Sequence, residues 1–254
     1  MSSRPNPTLT PLIGGGDYPS VRPLVDVVDC PVLRMDGSVL QNHGYDPSSR
    51  LYYAPGCEFP AISENSTWED AREAVNEVFD LVVDFPFKSV GHDKGDGYRA
   101  AWLAGLLTPL ARHAIDGPCP IFLVDANVPG AGKSKLCQMI AVIATGREVG
   151  PMAFTESEDE MRKRAMAVAR AGERIVLIDN VRAGARFGSA ALDGLLTGRS
   201  VSGRMLGTNE MGEYMHNTIW YATGNNLETK GDLVRRSVPL RLESPHENPE
   251  IRDE

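Results

Sequence analysis

One eight-residue run constrains this chain more than any other: Asn127-Val128-Pro129-Gly130-Ala131-Gly132-Lys133-Ser134, directly behind the apolar segment Ile121–Val124. Helical periodicity begins at about Lys133 and lasts to Thr145, so the run is the turn between a buried strand and a helix. Small residues let successive backbone N–H groups converge on an anion, and a helix N-terminus adds the positive end of its dipole. A lysine then reaches the terminal phosphates, and a hydroxyl suits a divalent cation. Gly130, Gly132, Lys133 and Ser134 supply these parts. Residues Asn127, Val128, Pro129, Gly130, Ala131, Gly132, Lys133, Ser134 and Lys135 are the candidate ATP contacts, with Mg²⁺ as the companion ion. The usual first glycine is Asn127 here; asparagine tolerates left-handed backbone angles, so the turn is expected to survive. The competing reading is a glycine-rich turn that only caps a helix, and the strand before it and the helix after it weigh against that.

Beyond Pro118, short apolar runs alternate with helical stretches, the pattern of a parallel sheet covered by helices. The runs are Ile121–Val124, Met152–Phe154, Ile175–Ile178, Thr218–Ala222 and Val238–Leu242. They predict an α/β fold with a parallel five-stranded core sheet, and the phosphate loop at its edge makes the expected three-layer sandwich resemble that of a P-loop NTPase. Arg174-Ile175-Val176-Leu177-Ile178-Asp179-Asn180 is an apolar strand ending in a carboxylate, the Walker B form, so Asp179 joins Ser134 as a candidate for the metal. Many related ATPases carry a water-polarising glutamate in the next place, where this chain has Asn180. Asparagine cannot take that proton. Either another carboxylate serves as base, with Glu158 and Glu160 as candidates, or turnover is slow. Ser157 and Glu160 also read as a plain capping box.

The run ending Thr223-Gly224-Asn225-Asn226 puts a short amide at the carboxyl edge of a parallel sheet, where ligands bind. Asn225 is the candidate for orienting the attacking water. Arg235 and Arg236, just ahead of the last strand, fit an arginine finger offered to a neighbouring subunit, or a surface pair held by local acids such as Asp232.

Residues 1–20 form a Pro/Gly/Ser-rich leader, and 21–116 a small α+β accessory region without a catalytic signature. Residues 117–243 are expected to form the nucleotide-binding core and 244–254 a tail. In the accessory region, Asp36-Gly37 predicts a hairpin turn between Val32–Met35 and Ser38–Leu40. Ser66-Thr67-Trp68-Glu69 predicts a capping box opening a helix whose apolar side is Ala71, Val75, Val78, Phe79 and Val82. A second amphipathic stretch follows, with Trp102, Leu103, Leu106, Leu107 and Leu110 on one side. No run matches a membrane span or secretory signal, which predicts a cytoplasmic protein with no membrane partner. The four widely spaced cysteines read as reduced thiols. A net charge of −8 excludes an all-over basic coat, though not a local basic loop.

The ordered set of phosphate loop, Asp-ended strand, Asn-ended strand and arginine pair resembles the AAA+ branch of P-loop ATPases. It is most similar to helicase-type domains of phage and mobile-element replication proteins, relatives of superfamily 3 helicases and of primase–helicase C-termini. The residues that carry the resemblance are Gly132-Lys133-Ser134, Leu177-Ile178-Asp179-Asn180, Leu195-Leu196-Thr197, Arg204-Met205-Leu206-Gly207, Thr223-Gly224-Asn225-Asn226, Gly231-Asp232-Leu233-Val234-Arg235-Arg236 and Pro249-Glu250-Ile251-Arg252. Pro31–Gly37 and Gly44-Tyr45-Asp46 extend it toward the N-terminus. The resemblance implies an ATP-dependent DNA helicase or translocase working as a homo-oligomeric, hexameric ring, with shared ATP sites and single-stranded DNA in the channel. It also implies a DNA-contacting hairpin between the Asp-ended and Asn-ended strands. Residues 181–206 hold four arginines and one acid, Asp193, so Arg199 and Arg204 are the candidate DNA contacts; Arg204 also suits a subunit interface. No primase signature precedes the loop. The alternative activity is an assembly or loader ATPase with slow hydrolysis.

Overall fold

The computed structural model describes residues 22–204, 211–247 and 249, with only the backbone of Arg204. The expected leader, Met205-Leu206-Gly207 and residues 250–254 fall outside them. The chain opens with β1 (Asp26–Val28), β2 (Val32–Leu33), β3 (Val39–Leu40), β4 (Gly44–Asp46) and β5 (Leu51–Tyr53). β5 lies parallel to β1 and antiparallel to β4, and β2 and β3 form the predicted hairpin. Its turn needs a left-handed angle only at Gly37, φ +85°. Val28, Cys30, Val32, Leu40, Leu51 and Tyr53 make a small core of their own.

α1 (Trp68–Asp80) starts one residue later than the sequence suggests. Thr67, with extended backbone, accepts the Asp70 N–H at 3.2 Å, and the Asp70 carboxylate accepts the Thr67 N–H at 2.7 Å. Glu69, expected to close the box, pairs with Arg72 instead. α1 buries no residue, and Ala71 is exposed. The expected apolar face is therefore only half covered, because the helix touches the body of the protein near its C-terminal end alone. α2 (Asp96–Ala111) buries Trp102 and Leu106 while Leu107 stays half exposed.

The elements that follow are β6 (Ile121–Ala126), α3 (Lys133–Thr145), β7 (Pro151–Ala153), α4 (Glu158–Ala171) and β8 (Ile175–Val181). Then come β9 (Arg186–Phe187), α5 (Ala190–Leu195), β10 (Ser200–Arg204), β11 (Met211–Met215), β12 (Ile219–Asn225), β13 (Glu228–Thr229) and β14 (Ser237–Leu242). β14-β6-β12-β8-β7 form a five-stranded, all-parallel sheet. Side chains alternate across it as a period of two requires. Phe122, Val124, Leu177 and Tyr221 pack with α2 and α3, whereas Leu123, Val176, Ile178 and Trp220 pack with α4 and α5. The protein is thus an α/β sandwich with helices on both faces of a parallel sheet.

α2, though inside the stretch read as accessory, covers this sheet beside α3 and β14. Its Pro109 has no N–H for the carbonyl of Gly105, and the buried Tyr221 hydroxyl donates to that carbonyl instead, at 2.7 Å. Arg174 ties the N-terminal strands to the sheet by donating to Asp29 (2.7 Å), to Cys30 Sγ (3.0 Å) and to the Pro109 carbonyl (3.0 Å). Among the described residues, no helix is long and apolar enough to cross a membrane.

Candidate functional site

After β6 the chain crosses to the edge strand β7, returns through β8 and β12, and finishes beyond β6 at β14. β6 therefore has earlier strands of the crossover on one side and the last strand on the other. The crevice at the carboxyl ends of such a sheet is where a ligand can reach loops from several strands. The loops after β6, β8 and β12 meet there.

The loop after β6 turns through left-handed angles at Gly130 (φ +74°) and Gly132 (φ +94°), and Gly132 caps α3. A Cβ at Gly132 would lie 2.7 Å from the Phe85 ring, so only glycine fits. Phe85 arrives there because residues 86–88 run beside the end of β14: Glu243 N–H donates to the Pro86 carbonyl and Lys88 N–H to that of Arg241. Asn127 does not take a left-handed angle, contrary to the reason the sequence offered for tolerating it. Its side chain instead bonds the main chain of Ser244 twice, Nδ2–H to the carbonyl at 2.9 Å and Oδ1 from the N–H at 3.0 Å. Lys135 points away, exposed on the first turn of α3.

Lys133 is buried, and its Nζ donates to Asn225 Oδ1 at 2.7 Å. Burial pushes its pKa down, and the charges of Asp125 and Asp179 offset part of that shift. Ser134 Oγ donates to Asp179 Oδ1 at 2.8 Å, and the Thr223 hydroxyl donates to the same oxygen. Four residues chosen from sequence, Lys133, Ser134, Asp179 and Asn225, are thus brought into two direct contacts from three loops. The donor set suits Mg²⁺. A hydroxyl and one carboxylate are hard oxygen ligands, and this ion commonly takes few protein ligands, completing its shell with water and phosphate. The first turn of α3 also has no intrahelical acceptors for its N–H groups, the usual state of an anion-binding helix end.

The other candidates lie elsewhere. Glu158 accepts the N–H groups of Ala190 and Ala191 at 3.0 and 2.9 Å, capping α5, and these bonds, that of Ala191 foremost, lower its pKa. Glu160 pairs with Arg164 at 2.9 Å. The capping box is only half formed: Ser157 Oγ accepts the Glu160 N–H, but the Ser157 N–H goes to Thr155. Neither carboxylate shares in the Lys133–Asn225 or Ser134–Asp179 contacts. Arg235 and Arg236 both pair with Asp232 of their own chain, Arg236 at 2.7 Å. β10 and β11 form an antiparallel hairpin between β8 and β12. Arg199 stands at its foot in an exposed ion pair with Asp116 at 2.6 Å. The Arg204 side chain lies outside the described residues.

Sequence reasoning missed Thr223, Asp125 and Arg241. Arg241 pairs with Asp125 and donates to Asn226 Oδ1 at 2.9 Å, bracing the loops after β6 and β12. Asp125, a carboxylate inside an apolar strand, was the available signal.

Neither a family model nor a curated protein sequence matches the chain. Fold and site therefore rest on their own geometry: an α/β sandwich whose parallel sheet gathers a lysine, a hydroxyl, a carboxylate and an amide at one carboxyl edge.

Proposed function

We propose that the chain is a P-loop NTPase of the AAA+ type that binds ATP with Mg²⁺ and powers a ring-shaped DNA helicase or translocase of mobile-element or phage replication. The observation that carries the reading is the paired contact Lys133–Asn225 and Ser134–Asp179, made by residues 92 and 45 positions apart at the carboxyl edge of the sheet. In this reading Lys133 and the N–H groups of the loop hold the phosphates. Ser134 and Asp179 hold Mg²⁺, which when bound neutralises phosphate charge. Asn225, already in contact with the lysine, orients the attacking water. Arg235 and Arg236 leave Asp232 to complete the site of a neighbouring copy, and the β10–β11 hairpin carries the contact to single-stranded DNA.

A second reading has specific support. Asn180 cannot serve as a base, Glu158 is committed to α5 and Glu160 to Arg164. These commitments favour a homo-oligomeric assembly or loader ATPase with slow hydrolysis.

The test is ATP binding and turnover by the purified protein over a range of concentrations, with and without single-stranded DNA. DNA-stimulated turnover that rises more than linearly with protein supports the motor; binding with little turnover supports the assembly role. Lys133→Ala protein that binds ATP like wild type would refute both. Mixing Lys133→Ala protein with Arg235→Ala/Arg236→Ala protein is expected to restore turnover if the fingers act between copies.

A further inference from the structure

We propose that Thr223 is a positioning residue that aims Asp179 through a β-bulge at the end of β8; the proposal rests on the nucleotide reading above. β12 and β8 pair one for one from Ile219–Ile175 to Ala222–Ile178, and the next pair is Gly224–Val181. Two residues, Asp179 and Asn180, therefore stand opposite one, Thr223. An extra residue reverses the alternation of faces beyond it. The core records that reversal. Ile175 and Leu177 pack toward α2 and α3, yet Val181, two pairs of residues further on, packs with Val176 and Ile178 toward α4 and α5.

The bulge places Asn180 at a left-handed φ of +58°. Asparagine adopts that angle readily, whereas a long acidic side chain does not. This gives a structural reason for the missing glutamate: the backbone that directs Asp179 is unsuited to glutamate at the next position.

Thr223, 1% exposed, holds the bulge from the facing strand. Its Oγ1 accepts the Asn180 N–H at 2.9 Å and donates to Asp179 Oδ1. A hydroxyl has one proton to give. With the Asn180 N–H directed at its lone pair, that proton goes to the carboxylate. The same Oδ1 accepts Ser134 Oγ, so the Asp179 carboxylate is held between the phosphate loop and β12. Ser134 has a second task at the cation, whereas Thr223 does not. Thr223 is thus the contact that keeps Asp179 in place when Ser134 turns to the metal.

The test compares Thr223→Val, which keeps the shape without the hydroxyl, with Thr223→Ser, which keeps the hydroxyl. A fluorescent ATP analogue is titrated into each protein with Mg²⁺ and with EDTA. Outer partners of metal ligands are commonly worth about 10- to 100-fold in metal affinity. Thr223→Val is expected to bind in EDTA within about twofold of wild type and to lose about tenfold of the Mg²⁺-dependent gain. Thr223→Ser should recover most of that gain, which a purely packing role would not predict. If Thr223→Val does not fold, Thr223→Ala takes its place with the same expectation. A hydroxyl-free variant with the full Mg²⁺-dependent gain overturns the role of Thr223 while leaving the nucleotide reading intact. Wild-type protein with no Mg²⁺-dependent binding overturns the nucleotide reading itself, and this proposal with it.

Discussion

Replacing Asn127 with glycine, which would complete the glycine pattern of the phosphate loop, is expected to destabilise the protein. The Asn127 amide bonds both main-chain groups of Ser244, and Ser244 is only 5% exposed, so water does not readily take over either bond. Two hydrogen bonds at roughly 1 kcal/mol each, with about 0.5–1 kcal/mol for the added backbone freedom of glycine, give a loss of about 3 kcal/mol. Glycine relieves no strain in return, because Asn127 is not in the left-handed region. At about 2–4 °C per kcal/mol for a chain of this size, the midpoint should fall by about 6–12 °C. Thermal unfolding followed by circular dichroism measures it directly. Asn127→Asp keeps the acceptor for the Ser244 N–H but sets a carboxylate oxygen against the Ser244 carbonyl where the amide donated, so its midpoint should also fall, by at least as much as the loss of one bond. A midpoint for Asn127→Gly at or above wild type would refute the reasoning, since the amide bonds would then contribute nothing.

Gly132→Ala should abolish nucleotide binding, because its Cβ would strike the Phe85 ring at a backbone angle unfavourable to alanine; a binding titration checks it. Asn180→Glu, although it restores the usual acidic pair, is expected to cost about 1–2 kcal/mol in denaturant unfolding and not to speed turnover, because its position is left-handed. Burial, with the Arg112 charge as a smaller cause, pushes the pKa of His216 down to about 4, and its Nε2 accepts the Trp220 indole N–H, so the folded state keeps it neutral. The unfolded chain takes up the proton first, near pH 6.5. Stability is therefore fully present above that pH and falls as pH drops toward 4, by on the order of 3 kcal/mol from this group. His216→Gln should flatten that part of the curve in unfolding experiments at several pH values. Arg174→Met removes the hydrogen bonds to Asp29 and the Pro109 carbonyl, leaving Asp29 only the longer ion pair with Arg147 at 3.9 Å, and should cost about 2–3 kcal/mol, with hydrogen exchange rising first in β1 and β5.

Much of the fold was legible because its signals are local. Each core strand is a short apolar run, and each helix start is announced by a small or capping residue. The five strands and the helix α3 therefore follow from residues close in sequence, α3 with the expected ends and the strands with ends displaced by a few positions. α1 shows the limit: periodicity announces a helix, but its apolar side finds little to cover it, and a cap that satisfies Thr67 through Asp70 reads almost the same as one that uses Glu69.

The candidate site divides in the same way. Gly130, Gly132, Lys133 and Ser134 form one contiguous run, and the chemistry of a phosphate loop can be read from it directly. Asp179 and Asn225 were legible as strand ends. That both lie beside Lys133 and Ser134 depends on the strand order, which puts β12 between β6 and β8, and no local pattern encodes that order. The commitments of Glu158 to α5 and of Arg235 and Arg236 to Asp232, the grip of Asn127 on Ser244 and the bulge at Asp179–Asn180 are likewise decided by tertiary structure. Each depends on a hydrogen-bond partner brought in by chain packing. Sequence alone determined which chemical groups this protein carries and the elements they sit on; packing determined which of those groups meet and which are already engaged.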